Sequence, residues 1–287
     1  MSNVAEQKAN LPVAGSFYDE IAQEAGAGFE NVQGTDMSIP FLQVIQSTSP
    51  QLKKSSPKYL EAAKAGMVVN STTNELFSAE QGLWFVPAYW EKQYTEWVPR
   101  EKGGGFAGQH GEEIMDQVKT ELGRDFLPNG NEVVQAAVFY GLVLDNDGNT
   151  MPAVISMAKT QFKISKKLLF RLRSFTAKVG DKTITNLPMY SMVVNLQTRE
   201  ESNDKGSWSL WHPDVIKLLP DFTMGNQQLA SQIKLQAKAL HEGLKSGKIK
   251  VADPAASLGE EVQPQHASAG TPSNSAPVDE TEDEIPY

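Results

Sequence analysis

Residues 133–157 read VVQAAVFYGLVLDNDGNTMPAVISM. The first part, Val133–Leu144, is an apolar run rich in β-branched and aromatic residues, which is typical of a β-strand. Asp145–Asn149 combines Asp, Asn and Gly, the residues that turns favour, and Met151–Met157 returns to the strand pattern. This stretch therefore predicts two long strands joined by a tight turn.

Elements on either side of this hairpin complete the pattern. Trp84–Pro99 predicts a strand because it is rich in aromatic residues and Val, and Arg100–Asn131 predicts a long connection with one short helix. Lys159–Phe175 predicts an amphipathic helix, and Leu187–Thr198 and Ser207–His212 predict the last two strands. Five strands with a helix between the third and the fourth form the element order of an OB-fold. We therefore predict a mainly β, α+β protein built on an OB-fold-like five-stranded barrel with an inserted amphipathic helix.

The charge of the chain changes sign towards its two ends. The 287 residues carry a formal net charge of −9, yet Lys and Arg outnumber Asp and Glu between 37 and 250. Residues 1–36 are acidic and poor in large apolar side chains, which predicts a flexible N-terminal segment. Residues 251–287 hold eight acidic and no basic residues, which predicts a disordered acidic tail. Between them, 37–250 is expected to form one OB-like domain that ends in an extra helix over Asn226–Lys245.

The composition excludes several classes of chemistry. Because the chain has no cysteine, disulfides, Cys-ligated zinc, iron–sulfur clusters and thiol catalysis are ruled out. The four His show no metal-ligand spacing, and Gly103-Gly104-Gly105 lacks the Gly-Lys-Ser/Thr ending of a phosphate-binding loop. We therefore predict no enzymatic activity, no catalytic residues, no cofactor and no metal. No apolar run reaches the length of about 18 residues that indicates a transmembrane helix, so no membrane partner is expected.

An aromatic segment between residues 84 and 106 is the first feature that points to a ligand. It holds seven of the 24 aromatic residues, with Lys and Arg interleaved among them. Exposed rings beside cations suit single-stranded nucleic acid, because unpaired bases stack on rings whatever their sequence. The sequence leaves both burial and exposure open for the three rings nearest the charged residues. The predicted contacts in this segment are Trp90, Lys92, Tyr94, Trp97, Arg100 and Lys102.

The helix predicted over Lys159–Phe175 is the second such feature. Six of its cations fall within an arc of about 160° on a helical wheel, and apolar residues fill the opposite arc. A solvated face normally mixes Glu with Lys, whereas this one carries no acid, so we predict a surface that follows phosphates. One aromatic residue lies in the middle of the cationic arc. The predicted contacts are Lys159, Lys163, Lys166, Lys167, Phe170 and Arg173.

The third feature is the end of the chain, which reads DETEDEIPY over residues 279–287. It resembles the tip of bacterial single-stranded-DNA-binding proteins, in which three acidic residues and Ile-Pro-Phe follow a disordered linker. Tyr287 stands in place of the terminal Phe. The resemblance implies that the tip recruits replication or repair proteins, with the end aromatic and the terminal carboxylate entering a pocket that has a basic rim. The implied partner-binding residues are Glu282, Asp283, Glu284, Ile285, Pro286 and Tyr287.

The body of the chain carries a second resemblance. Trp97-Val98-Pro99-Arg100, followed by Gly103-Gly104-Gly105-Phe106, is similar to bacteriophage single-stranded-DNA-binding proteins of OB type. This resemblance implies sequence-nonspecific binding and protection of single-stranded DNA during phage DNA replication, recombination or repair. The N-terminus lacks the basic and apolar regions of a signal peptide, so we expect a cytoplasmic location, in the host cell if the protein is phage-encoded.

Two alternative functions remain open from the sequence. A recombination mediator or annealing protein would use the same surface and would require a large ring-like oligomer, so homo-oligomerisation stays open as well. An RNA-binding or transcription-regulating module is the other alternative, because ring stacking and phosphate contacts do not read the 2′-hydroxyl group.

Removal of the last nine residues is expected to leave the fold intact without weakening DNA binding. Acidic charges close to a cationic path oppose the entry of phosphates, so the truncation should strengthen binding at low salt. The linker 251–278 has a span of about 30 Å as a flexible coil, enough to bring the tip back to the body. Pull-downs would compare the intact chain, the truncation and a chain with one Gly added after Tyr287. Capture of the same proteins by all three would mean that the resemblance of the tip is accidental.

Overall fold

The computed structural model describes residues 39–249 apart from 146, 147 and 205, together with eight isolated positions between 19 and 31. The predicted acidic tail and its tip, Glu282–Tyr287, lie outside the described residues, as does most of the predicted N-terminal segment. None of the described helices is long and apolar enough to span a membrane.

Strands dominate the described part of the chain. They are β1 (Leu42–Val44), β2 (Val68–Asn70), β3 (Leu76–Phe77), β4 (Leu83–Val98), β5 (Gly105–His110), β6 (Lys119–Glu121), β7 (Arg124–Phe126), β8 (Glu132–Leu144), β9 (Thr150–Ala158), β10 (Ala177–Val179), β11 (Lys182–Ile184), β12 (Met192–Asn203) and β13 (Gly206–Leu218). The α-helices are α1 (Phe162–Ser174), α2 (Leu219–Phe222) and α3 (Gln227–Lys245). Short 3-10 helices cover Pro50–Leu52, Arg100–Lys102, Glu112–Gln117, Lys159–Gln161 and Met189–Ser191. The predicted mainly β, α+β class is therefore confirmed.

Strand β4 is a central strand of an eight-stranded antiparallel sheet. The sheet runs β13–β12–β4–β8–β7–β6, with β5 beside β4 and β9 beside β8. Because β4 is 16 residues long, its start pairs with β12, its end with β5 and nearly its whole length with β8. Strands β1, β2 and β3 form a separate small sheet, and β10 and β11 form a hairpin.

The five long strands and α1 follow the predicted order, but no ladder among the described strands closes the sheet into a barrel. Instead, the segment around β1 connects the two edges. Phe41 forms a parallel bridge with Val154 of β9. Gln46 donates from its side-chain amide to the carbonyl of Ser209 on β13 and accepts from the Ser209 amide, both at 2.9 Å. A backbone bridge to β9 and side-chain hydrogen bonds to β13 thus link the two edges in place of a continuous strand ladder.

The structure corrects the predicted connection over Arg100–Asn131, which is not one long loop. This segment forms strand β5 and the hairpin of β6 and β7, in addition to the 3-10 helix at Glu112–Gln117. Most residues of these three strands are exposed or only partly buried. Short exposed strands lack the alternation of apolar and polar residues from which sequence analysis recognises a strand, which explains the error.

Each face of the sheet has its own apolar core, because successive residues along a strand point to opposite faces. Phe139 and Ile155 lie on one face, which helix α1 covers. Val138 and Val154 lie on the other face, which helix α3 covers. The helices contribute Leu168 and Leu172 from α1, and Ile233 and Ala237 from α3. Burial on both faces is the reason that Val133–Leu144 is apolar at every position except Gln135, which is only partly buried.

Replacement of Gly141 by Ala is expected to destabilise the fold by about 1–3 kcal/mol, the usual cost of overpacking a core. Gly141 lies in β8, where an added Cβ would be 2.3 Å from the carbonyl oxygen of Val86 and 2.4 Å from Cζ of Phe85. Gly108→Ala is the matched control, because an added Cβ in β5 would meet only the His110 ring, at 3.4 Å. Chemical denaturation of both variants measures the difference. Equal stabilities would contradict this account of the core.

Candidate nucleic-acid interface

Helix α1 docks on the sheet by its apolar side. Leu168 and Leu172 are buried in the core, and Phe162, Ile164 and Leu169 are partly buried against it. The predicted helix is therefore confirmed, and its polar side faces solvent. The exposed residues on that side are Lys163, Lys166, Lys167, Phe170, Arg171 and Arg173. We call this set the cationic face of α1.

Neighbouring groups orient several cations of this face without covering them. Arg171 donates hydrogen bonds to the carbonyls of Pro213, at 2.6 Å, and Asp214 on β13. Lys163 Nζ lies 4.0 Å from a carboxylate oxygen of Glu201, but the Lys163 side chain stays 64 % exposed. These contacts leave the positive charge open to a ligand, since exposed ion pairs of this kind contribute little.

Phe170 lies within the cationic face and is 73 % exposed. A phenylalanine in that position adds nothing to the core that α1 covers. A ring exposed among cations offers both contacts that single-stranded nucleic acid requires, stacking for a base and charge for its phosphates.

Lys159 is held apart from the cationic face by an ion-pair cluster, which we call the Glu132 cluster. Glu132 in β8 accepts hydrogen bonds from the guanidinium of Arg124 in β7, one of them at 3.0 Å, and Lys159 Nζ lies 3.7 Å away. Burial lowers the pKa of Lys159, Glu132 opposes that shift, and Arg124 adds to it. Burial also opposes ionisation of Glu132, yet Arg124 and Lys159 hold the pKa of its carboxyl below the usual value.

The three predicted aromatic contacts of β4 are largely buried. Tyr94 is 3 % exposed and donates from its hydroxyl to Glu112 at 2.9 Å. Trp97 is 9 % exposed, and its ring meets that of Phe106 edge-on with the centroids 6.2 Å apart. Trp90 is partly buried against the core that α1 covers. All three side chains are therefore less exposed than that of Phe170.

The predicted cations near β4 lie in surroundings of mixed charge. Lys92 Nζ is 2.7 Å from a carboxylate oxygen of Glu112, and that hydrogen bond raises the pKa of Lys92. Lys102 donates to the carbonyl of Asn129 at 2.8 Å, whereas Arg100 is simply exposed. The end of β4 does approach the start of α1, because Trp97 pairs in the ladder with Glu132 of the Glu132 cluster.

The structure adds cations that sequence reasoning did not place at the site. Lys178 and Lys182 are exposed on the β10–β11 hairpin directly after α1. Burial lowers the pKa of His212 on β13, Arg199 and Arg171 lower it further and Asp214 opposes them, so Arg199 of β12 acts on the same side chain of β13 as Arg171 of α1. Nothing in the sequence connects Arg199 with α1, because only the fold brings β12 and β13 beside that helix.

Most of the chain matches a known protein family. The family model of the Pam3 phage gp34-like protein matches residues 6–250. The chain belongs to this phage protein family. The matched region includes the sheet and helices α1 and α3, and it stops at the predicted acidic tail. No curated protein and no solved structure matches the chain. The prediction of a phage protein is thus confirmed at the level of the family.

Glu132→Gln is expected to lower the free energy of unfolding by about 1–3 kcal/mol at neutral pH, because Arg124 and Lys159 lose the carboxylate between them. A carboxyl whose folded pKa is depressed contributes stability above its unfolded pKa and loses it as the pH falls through the folded value. The difference between parent and variant should therefore shrink on acidification below about pH 4. Glu121→Gln, in the exposed pair with Lys119, is the control and should change little. A constant difference between pH 7 and pH 3 would contradict the role given to Glu132.

Proposed function

We propose that this phage protein binds single-stranded DNA without sequence preference, and that the cationic face of α1 is its main contact surface. The observation that carries the proposal is the exposure of Phe170 among cations on a helix side with no acidic residue. Backbone phosphates supply most of the affinity in such binding, and a base that stacks on an aromatic ring adds about 1–3 kcal/mol.

The dimensions of α1 suit this role. Lys163 and Arg173 are ten positions apart, which corresponds to about 15 Å along an α-helix. The β10–β11 hairpin, which follows α1 in the chain, adds two further exposed cations, Lys178 and Lys182. A single strand that follows this route would meet cations along its backbone and Phe170 part-way, with Arg171 oriented by its hydrogen bonds to β13.

We further propose that the domain is a variant of the OB-fold. The five long strands β4, β8, β9, β12 and β13, with α1 between the third and the fourth, support this assignment. OB-folds bind oligonucleotides on the strands of one sheet face and on the loops beside it. Here α3 covers one face of the sheet and α1 the other, so the proposed path lies on the outer side of α1.

The alternatives of an annealing protein and an RNA-binding module share this surface, so they become outcomes of the binding assay. Equal affinity for oligo-dT and oligo-rU would favour a protein that does not distinguish the two sugars. Recruitment of replication or repair proteins through Ile285, Pro286 and Tyr287 remains part of the proposal, on the resemblance of the tip to bacterial single-stranded-DNA-binding proteins.

Reversal of charge at Lys166 and Lys167 to Glu is expected to weaken binding of oligo-dT at least tenfold at low salt. Loss of two phosphate contacts should also reduce the slope of log affinity against log salt concentration by about 1.4, because each phosphate contact on a single strand contributes about 0.7. Phe170→Ala should weaken binding several-fold without changing that slope, since a stacked ring carries no charge. Fluorescence anisotropy with labelled oligo-dT and duplex over a series of salt concentrations measures the affinity for oligo-dT, the affinity for duplex and the salt slope.

The matched control carries Lys234→Glu and Lys238→Glu on α3, which is the same change of charge on an exposed helix side at the opposite face of the sheet. This control should bind oligo-dT nearly as tightly as the parent. An equal loss in both double variants, or equal affinity of the parent for duplex and oligo-dT, would contradict the proposal.

A further inference from the structure

The turn between β6 and β7 contains a leucine in an unfavourable backbone conformation. Glu121 pairs with Arg124, so Leu122 and Gly123 form a two-residue hairpin turn. Their φ angles are 50° and 77°, both in the left-handed region. Turns of this type prefer Asn-Gly or Asp-Gly, because a bulky side chain disfavours a positive φ. The local backbone therefore does not account for a leucine at position 122.

Packing does not account for it either. The relative exposure of Leu122 is 104 %, the highest among the exposed large apolar residues of the described chain. An apolar side chain that projects fully into water from a disfavoured backbone conformation stabilises neither the turn nor the core. Residues that suit neither their backbone conformation nor their surroundings occur mainly at functional positions. The Leu122 side chain is therefore fully available to a molecule outside the chain, and its place in the fold decides which molecule it can meet.

The fold brings the base of this hairpin to the start of α1, the helix that carries the cationic face. Arg124, two residues after Leu122, bonds the carboxylate of Glu132, and Lys159 approaches the same carboxylate at 3.7 Å. Lys159 opens the 3-10 turn that leads directly into α1. Because a strand advances about 3.3 Å per residue, the tip lies only about 7 Å along the chain from the Glu132 cluster.

We propose that Leu122 is an apolar wedge that inserts between neighbouring bases of the nucleic-acid strand held on the cationic face of α1. This inference rests on the proposed function and adds a contact residue to it. Leucine is one of the side chains that nucleic-acid-binding proteins insert between base steps. The hairpin carries two cations and two acids, Lys119, Glu121, Arg124 and Asp125, so its net charge is zero. The tip therefore supplies apolar contact, while α1 supplies the attraction for phosphates.

The test substitutes Leu122→Asn, which suits the left-handed conformation and should leave the fold at least as stable. The probe is oligo-dT of about 25 nucleotides with one 2-aminopurine, whose fluorescence rises when it is unstacked. Leu122→Asn should lower the affinity about fivefold to tenfold at every salt concentration, leave the salt slope unchanged and remove the rise in 2-aminopurine fluorescence. Leu122→Met keeps an apolar wedge and should retain both signals.

Met224→Asn is the matched control. Met224 is 97 % exposed, has a φ of 51° and precedes a glycine, but it lies in the turn before α3. This variant should bind oligo-dT and unstack 2-aminopurine like the parent. Parental binding and fluorescence in Leu122→Asn would overturn the wedge, as would a defect confined to capture of a protein partner. The double charge reversal at Lys166 and Lys167 distinguishes failure of the wedge from failure of the proposed function, because it tests the cationic face whether or not Leu122 inserts.

Discussion

The ladder between β4 and β8 is the interaction on which the other parts of the structure depend. It extends from the pair Trp84–Leu144 to the pair Trp97–Glu132, with one irregularity between Pro87 and Tyr89. Because β8 is buried on both faces, each face requires a cover, and α1 and α3 provide it. At one end of the sheet the same pair of strands also carries β5 and the β6–β7 hairpin.

This arrangement restricts where a ligand can bind. A sheet covered by a helix on each face has no open central surface, so a long polymeric ligand must use the outer side of a helix or a protruding loop. The cationic face of α1 meets that requirement, since its inner side is already engaged with Leu168 and Leu172 in the core. The Glu132 cluster joins the end of β4, the β6–β7 hairpin and the start of α1, and so sets the position of the hairpin relative to that face.

Sequence patterns predicted the elements whose burial is regular. Strands β8 and β9 and helices α1 and α3 emerged correctly, because apolar periodicity reflects which side of an element is covered. The side of α1 that faces solvent, with Phe170 in its middle, was predicted for the same reason. The hairpin over Lys119–Phe126 was missed, because strands of three largely exposed residues leave no such pattern.

The sequence by itself determined the strand and helix order, the amphipathic orientation of α1 and the charge contrast between the body and its acidic end. Only the tertiary structure decided that Tyr94 and Trp97 are buried. Ile114 packs on Tyr94 and Phe106 contacts Trp97, because the chain returns to β4 through β5 and the segment after it. It also decided that Lys159 joins Arg124 at Glu132, which ties the hairpin that carries Leu122 to the start of α1. Periodicity reports the burial of each element alone, whereas these contacts join residues that are distant in sequence and leave no local signal.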